Sequence, residues 1–360
     1  MSVVIPTYGR PDKLRRCLES LAAQETSRSF EVVVGVDGGS SDPAAFAVIS
    51  AAAAGVLGGR ARCEAFEKLG LIALRKRFVE RARGRLLVSL NDDVYASPGL
   101  VEAHAEAHDG PGSPVVVTGP APWRPVNEPT AFDAVVHRTD LVFFAPAKPP
   151  APGPFVVGYR DCYGLNLSAQ TSLVREVGGF PDLRDAYGYD DIELAYRLQN
   201  AAGCRAVHHP GAAVTHDHRM TPADVMRREY LLGRSAWAYA DLNPAFAMDL
   251  FGRDIRTPDE LAFSVSLLRQ GHADAVRIER AMLDLGSAPG DAIDAAVLRF
   301  IAEGWRGLKR YLWRWGLLDA CASFPSRWSL LRDLDAAPHD PGPCDPGPCD
   351  PGPREAASST

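Results

Sequence analysis

Asn91-Asp92-Asp93 directly follows the apolar run Leu86-Leu87-Val88-Ser89-Leu90, so two adjacent carboxylates stand at the C-terminal end of an expected strand. Carboxylate oxygens suit a hard divalent cation such as Mg2+ or Mn2+, which takes oxygen ligands and bridges diphosphate oxygens. Open α/β sheets bind ligands at that end of their strands. The same tripeptide is also a good turn former, so its context has to decide. A second acid pair, Asp190-Asp191, opens a helical stretch whose Ile192, Ala195 and Leu198 share one face. From the residues alone this pair reads as an N-terminal cap favoured by the helix dipole. His216-Asp217-His218 follows the strand-like Ala212-Ala213-Val214. Strand alternation would put both imidazoles on one side, and neutral histidine ligates divalent ions. A zinc hydrolase would also use histidines, but no HExxH or cysteine cluster accompanies these.

The elements that must position these groups follow from periodicity. Val3-Val4-Ile5, a helix from Pro11 with Leu14, Cys17, Leu18 and Leu21 on one face, and Val32-Val33-Val34 form a βαβ beginning. Further strands are expected at 71–74, 86–90 and 115–118, with helices at 78–83 and 98–108 between them. The repeat builds an α/β sheet with flanking helices. Residues 145–154, APAKPPAPGP, hold five prolines and read as an exposed loop or lid hinge. From Thr221, a cap followed by Pro222 at the first helical position, the chain reads as helical. The expected organisation is a catalytic domain over 1–220, a mostly helical region over 221–335 and a tail over 336–360. Three copies of Asp-Pro-Gly-Pro, starting at Asp340, Asp345 and Asp350, give that tail nothing to bury, so it is expected to be disordered.

The 360 residues are 46% hydrophobic and 23% charged, within the range of globular proteins. Thirty-nine basic against 45 acidic residues leave a net charge of -6, which removes the broad basic field of a nucleic-acid binder. Seven scattered cysteines without a CxxC pair read as reduced thiols in a cytoplasmic protein. The N-terminus turns polar within six residues, unlike a standard secretion signal. The alanine-rich stretch 44–59, broken by Ser50 and Gly55, reads as a packed helix rather than a membrane span.

Five stretches occur in order: Val4-Ile5-Pro6-Thr7-Tyr8-Gly9-Arg10; Val36-Asp37-Gly38-Gly39-Ser40-Ser41-Asp42; Asn91-Asp92-Asp93; Gly164-Leu165-Asn166-Leu167-Ser168 leading to Val177-Gly178-Gly179-Phe180; and Gly188-Tyr189-Asp190-Asp191-Ile192-Glu193-Leu194. Over about residues 2 to 219 the chain resembles family 2 glycosyltransferases of the GT-A fold. The resemblance implies an inverting transferase that uses a nucleoside-diphosphate sugar, taken as a UDP-sugar, and a divalent cation, Mn2+ or Mg2+. A carbohydrate or other hydroxyl compound would be the acceptor, in surface polysaccharide or glycoconjugate synthesis.

The resemblance further implies that Pro6, Thr7, Tyr8 and Arg10 line the nucleotide pocket and that Asp37 meets the base. Asn91 would belong to the donor-binding residues, Asp92 would face the ribose, and Asp93 the metal. Arg75 matches a basic position that could hold base or phosphate through charge-assisted hydrogen bonds. Asp191 would be the general base, with Asp190 the adjacent alternative. One of His216 and His218 would complete the metal site, His216 being favoured. Three departures stand out: Gly9 replaces the more usual Asn, Gly38 a frequent second acid, and Asn91 a frequent first Asp.

Tyr159, Tyr163, Tyr187 and Tyr189 bracket the acid pair and suit sugar recognition, although core packing is the default for any one of them. His208 and His209 read as structural. In 305–318, Trp305, Leu308, Tyr311, Leu312 and Trp315 share one helix side and Arg306, Lys309, Arg310 and Arg314 the other. That stripe could lie on a membrane or pair with a second subunit, or pack onto the protein's own core. A sugar nucleotidyltransferase would use a similar acidic site, but no Gly-rich loop with a following Lys opens the chain. A nucleotide-sugar-binding protein without transfer activity is the reading outside enzymes.

Overall fold

The computed structural model describes residues 1–110, 112, 114–139, 153–290 and 293–321. The chain begins β1 (Ser2–Thr7), α1 (Pro11–Ala22), β2 (Glu31–Val36), α2 (Pro43–Leu57), β3 (Ala61–Ala65), α3 (Leu71–Arg81) and β4 (Leu86–Leu90). It continues β5 (Val94–Ala96), α4 (Leu100–Asp109), β6 (Val115–Thr118), α5 (Ala131–Arg138), β7 (Phe155–Val157), β8 (Asn166–Gln170) and α6 (Thr171–Glu176). Then come α7 (Asp190–Ala201), β9 (Arg205–His208) and β10 (Val214–His216), followed by the helices α8 (Pro222–Leu242), α9 (Pro244–Phe251), α10 (Pro258–Ser287) and α11 (Ala295–Ala320).

Eight strands form one mixed sheet in the order β3-β2-β1-β4-β8-β6-β9-β7, and β10 pairs with β5 in a separate ribbon. β1 lies parallel to both β2 and β4, while β8 runs antiparallel between β4 and β6. Val3, Val4, Ile5 and Val32 to Val34 are fully buried because helices cover both faces of these strands. The parallel β1, β2 and β4 therefore end on the same side, and Thr7, Asp37 and Asn91 emerge together. β1 is where the strand order reverses, the usual crevice for a ligand in such sheets.

Leu14, Cys17, Leu18 and Leu21 of α1 and Ile49, Ala53 and Leu57 of α2 pack on one face of the sheet. Phe78 and Val79 of α3 and Leu194, Ala195 and Leu198 of α7 fill the other. Pro43–Arg60 is the one stretch among the described residues long and apolar enough to cross a membrane, with mean hydropathy 1.3. Its helix α2 is the crossover between the paired parallel strands β2 and β3 and buries Ile49, Ala53 and Leu57, with 17% of that stretch buried. The five cysteines among the described residues are free thiols.

Two expected elements are corrected. Residues 71–74 are the first turn of α3, which also takes in most of the expected helix 78–83. The run is buried at Ile72, Ala73 and Leu74 and continues through Arg75, Phe78 and Val79, so its short apolar stretch imitated a strand. The strand there is β3, Ala-Arg-Cys-Glu-Ala, an edge strand whose small and charged residues carry little apolar signal. The loop at 145–154, of which Gly153 and Pro154 alone are described, and the tail at 336–360 lie outside the described residues.

α8 starts as a capping box: Thr221 Oγ1 accepts from Asp224 N at 3.2 Å, and Asp224 Oδ2 accepts from Thr221 N at 2.9 Å. α8 and α11 touch backbone to backbone. A Cβ on Gly233 would fall 1.9 Å from Trp313 O, and one on Gly316 2.0 Å from Tyr230 O, so glycine is required at both. Trp305, Leu308, Tyr311 and Trp315 are buried in a third core with α8, α10 and Phe132, Val135 and Val136 of α5. The apolar side of 305–318 is thus covered within the chain, so of the three alternatives for that stripe the structure shows packing onto the protein's own core. Arg314 also differs from expectation. It is 1% exposed, and its Nη1 donates to Glu260 Oε2 at 2.6 Å and Ser264 Oγ at 2.8 Å, because α10 rather than solvent faces it.

Candidate active site

The acidic loop leaves β4 under tight control. Asp92 is fully buried, and its Oδ2 accepts from Thr7 Oγ1 at 2.7 Å. Arg10 forks across the pair, donating to Asp92 Oδ1 through one nitrogen and to Asp93 Oδ2 at 2.8 Å through the other. The two neighbouring carboxyls are pushed apart. Burial, with Asp93 beside it, raises Asp92 to about 6 in spite of Arg10. Burial works against Asp93 as well, but the hydrogen bond to His218 and the charge of Arg10 hold it well below the usual carboxylate range.

β10 ends at His216, yet both histidines reach Asp93. His218 Nδ1 lies 3.3 Å from Asp93 Oδ2, His216 Nε2 lies 3.7 Å from Oδ1, and Asp217 N donates to Asp93 O at 2.7 Å. The two imidazoles stack at 5.7 Å, and Trp123 stacks on His216 at 4.6 Å. Burial first of all lowers His216 to about 4, so it is neutral at pH 7, the form that ligates a metal. Asp93 Oδ1 is buried without a hydrogen-bond partner. An unsatisfied anionic oxygen facing the neutral His216 imidazole fits a divalent cation. The mixed donor set suits a transition ion such as Mn2+ better than Mg2+, which prefers oxygen alone. Among the described residues no three such side chains form a closed cage; Arg10 is the cation that the two aspartates hold here.

On the nucleotide side, Asp37 is 5% exposed, and its Oδ1 accepts from Leu69 N at 2.6 Å while Oδ2 accepts from Gly70 N at 3.2 Å. It therefore fixes the loop before α3. Lys68 on that loop lies 3.8 Å from Asp37 Oδ2 and sits over the Tyr8 ring at 2.9 Å. Sequence reasoning missed this lysine; a basic residue two positions before a Gly at a helix start was its one signal. Pro6 is a buried β1 residue opposite Gly35.

Arg75 differs from its expected ligand contact. It is 3% exposed, with Nη1 donating to Asp190 Oδ2 at 2.7 Å and Nη2 to Asn91 Oδ1 at 2.9 Å. The guanidinium ties the acid pair to the acidic loop. Asp190 is spent on this ion pair, while Asp191 Oδ2 accepts from Gly164 N at 2.7 Å and Oδ1 from Ile192 N at 2.8 Å. Tyr189, not an aspartate, is the N-cap of α7 and makes no side-chain cap, so capping does not account for the pair. Burial and then Asp190 push the Asp191 carboxyl up, against the pull of Arg75.

Gly164 lies between Tyr163 and Leu165, which with Trp123, Asp161, Asn166 and His216 line a cavity of about 500 Å³. His208 also lines it and stacks on Phe155 at 4.8 Å. Of the other tyrosines, Tyr159 packs edge-on against Tyr196 and Phe246, a core role, and Tyr187 is 38% exposed.

Behind the cavity, Asn166 Oδ1 accepts from His104 Nε2 at 3.0 Å. His104 Nδ1 then accepts from Ser168 Oγ at 2.8 Å, and Ser168 Oγ from His108 Nε2 at 2.9 Å. Burial lowers His104 to about 4 and His108 to about 3. An unfolded histidine takes its proton near pH 6.5, so this cluster contributes its full stability above that pH and loses it as pH falls toward 4. At 1.4 kcal/mol per pH unit, the loss is on the order of a few kcal/mol. Urea midpoints at pH 7.5 and pH 5 should differ accordingly, and His108→Gln should flatten the dependence; equal slopes in the two proteins would rule out the cluster as the cause.

The sequence profile of glycosyl transferase family 2 matches residues 2–131. Validoxylamine A glucosyltransferases of Streptomyces hygroscopicus subsp. jinggangensis (strain 5008) and subsp. limoneus are each 33% identical over 224 residues. The match covers 55% of this chain and 51% and 47% of theirs, so the chain spans about half the length of the curated relatives it matches. A mannosyltransferase from Pyrobaculum calidifontis, solved in complex with GDP-Man and Mn2+, superposes with a TM-score of 0.56 at 18% identity, over 89% of this chain and 86% of that one. At that identity the likeness concerns the fold. The acid pair and the histidines lie beyond the matched profile, on a sheet with flanking helices of GT-A type. The likeness to glycosyl transferase family 2 thus rests on residues 2–131, about a third of the chain.

Proposed function

We propose that this protein transfers a hexosyl group from a nucleoside-diphosphate sugar, taken as a UDP-sugar, to a hydroxyl acceptor with inversion at the anomeric carbon. The observation that carries this reading is Asp191. Its partly buried, upshifted carboxyl accepts from Gly164 N, between the cavity-lining Tyr163 and Leu165, and is tied through Asp190 and Arg75 to the loop of Asp92 and Asp93. The relatives named as glucosyltransferases support glucose as the first donor sugar to test. The cavity with Trp123 and Tyr163 is the acceptor's place, aromatic faces beside Asn166 and Asp161 suiting a polyhydroxylated ring. Free thiols support a cytoplasmic location, and surface polysaccharide or glycoconjugate synthesis is the context proposed for the product.

In the reaction, Asp191 takes the proton of the acceptor hydroxyl as its oxygen bonds to the anomeric carbon. The bond from that carbon to the diphosphate breaks on the opposite face, and the nucleoside diphosphate leaves with the electron pair. The transition state has oxocarbenium character, as in glycoside hydrolysis. Thr7, Tyr8, Lys68 and the Asp37-held loop border the nucleotide, and Asp93 with His216 or His218 would hold the cation. A divalent ion there supplies Lewis-acid neutralisation of the diphosphate.

Screening nucleotide sugars with Mn2+ for nucleoside-diphosphate release, with and without acceptors, tests the reading. Tight donor binding without release under any acceptor would instead favour a binding protein. Asp93→Ala should abolish the Mn2+-dependent part of UDP affinity, because the diphosphate then faces Asp92 without a cation. Titration calorimetry reads this directly, and an unchanged metal dependence would remove Asp93 from the role.

A further inference from the structure

The turn that carries the acid pair is held by helices far outside the matched profile. Gly188 and Tyr189 have φ of 71° and 64°, and Tyr189 is the one non-glycine residue with positive φ among those described. L side chains rarely adopt this conformation, so the surroundings must impose it. Each residue of the turn meets the C-terminal helices. Tyr187 N donates to Ser235 Oγ of α8 at 2.7 Å. A Cβ on Gly188 would press on Leu232 Cδ2 at 2.7 Å. Tyr189 Oη accepts from Trp313 Nε1 of α11 at 3.0 Å, and its ring meets Tyr239 and Phe251 edge-on at 5.6 and 5.9 Å. Phe251 packs on Trp313 in turn, at 5.4 Å. The next turn is tied in as well: Glu193 N donates to Tyr189 O at 2.8 Å, and Asn243 Nδ2 to Glu193 Oε1 at 2.9 Å.

We propose that Trp313 is a positioning residue for the acid pair: its indole N–H locks Tyr189, and with it the turn that aims Asp190 at Arg75 and Asp191 at Gly164. The proposal rests on the reading of Asp191 as the base. It gives the C-terminal helices a part in the chemistry although none of their residues has to touch the sugar. The rigid backbone contacts of Gly233 and Gly316 between α8 and α11 fix Trp313 itself. Charged and titratable groups facing Asp191 are Asp190, Arg75, Cys162, Tyr163 and Tyr239. None of them changes in the test.

Trp313→Phe keeps an aromatic ring and removes the donor; Tyr189→Phe removes the acceptor. Either should lower kcat about tenfold, the scale of a small misplacement of a reacting group, with KM for the nucleotide sugar unchanged. The acid limb of the kcat profile should move to lower pH as Asp191 gains water. A carboxyl-carbon NMR titration of Asp191 should show the same displacement without any turnover. The double variant should be no worse than either single, since both delete one bond. Tyr230→Phe is the control: it cuts the 2.5 Å bond from Tyr230 Oη to Asp319 Oδ2, another α8 to α11 link, away from the turn. It should lower Tm and leave kcat and the carboxyl titration alone. Wild-type kcat and carboxyl titration in Trp313→Phe, beside an inactive Asp191→Asn, would overturn the positioning role and leave the base assignment standing. Full activity in Asp191→Asn would overturn both.

Discussion

In Asp191→Asn, turnover at saturating donor falls by roughly 10²- to 10⁴-fold, the usual contribution of a general base, while donor affinity is preserved. The amide has the size of the carboxylate, and its oxygen still accepts from Gly164 N, but it cannot take the acceptor's proton. The wild-type pH profile should carry the same signature. Burial and the neighbouring Asp190 push Asp191 up to about 6, against Arg75. A base works only when deprotonated, so kcat rises with pH through about 6 rather than near 4, where an unperturbed aspartate would place the limb. Asp190→Asn separates the roles. It leaves the Arg75 guanidinium buried beside an uncharged partner, so it should weaken folding and lower activity only in part. If Asp190→Asn is the inactive protein and Asp191→Asn still turns over, the base is Asp190.

What the sequence made legible was local. Fully buried strands such as Val3-Val4-Ile5 and Leu86–Leu90 announce themselves because burial on both faces demands unbroken apolar runs. β3 stayed hidden because an edge strand with Arg62 and Glu64 needs no such run. The acidic loop was readable because strand and carboxylates are adjacent in the chain, and the His216 and His218 pair because the two lie two residues apart. The Trp123 stack on His216 was not, since it joins residues 93 apart. Arg75 was noticed for its charge but its protein partners were not foreseen: nothing in a run of Arg75-Lys76-Arg77 says that the first side chain turns inward to a carboxylate 115 residues later. Arg314 was misplaced for the same reason, its helix face being met by α10. Long-range ion pairs depend on which elements pack together, and periodicity within one element cannot specify that.

Arg75→Met should be the most destabilising single substitution in the site. The guanidinium is desolvated, with two of its donors on Asp190 and Asn91 and its plane 5.8 Å from the centre of the Phe180 ring. Methionine has a similar stem and no charge, so Asp190 becomes a buried carboxylate without a counterion, beside Asp191. Breaking a buried pair from one side costs about 3 to 5 kcal/mol, whereas replacing both partners by apolar groups is often neutral. The double variant Arg75→Met, Asp190→Leu should therefore recover most of the loss in urea unfolding. It should not recover turnover, because the tie between the acid pair and the Asn91 loop is gone. Arg75→Lys should fall between, since an ammonium keeps the charge but cannot bridge Asp190 and Asn91 with a planar fork. The sign of the pH effect follows from the same contact. Arg75 pulls the Asp191 carboxyl down, so in any Arg75→Met protein that still turns over, the acid limb of kcat must move above pH 6. A limb that stays in place, or an unfolding midpoint equal to wild type, would mean that Asp190 and Asp191 draw their compensation from elsewhere.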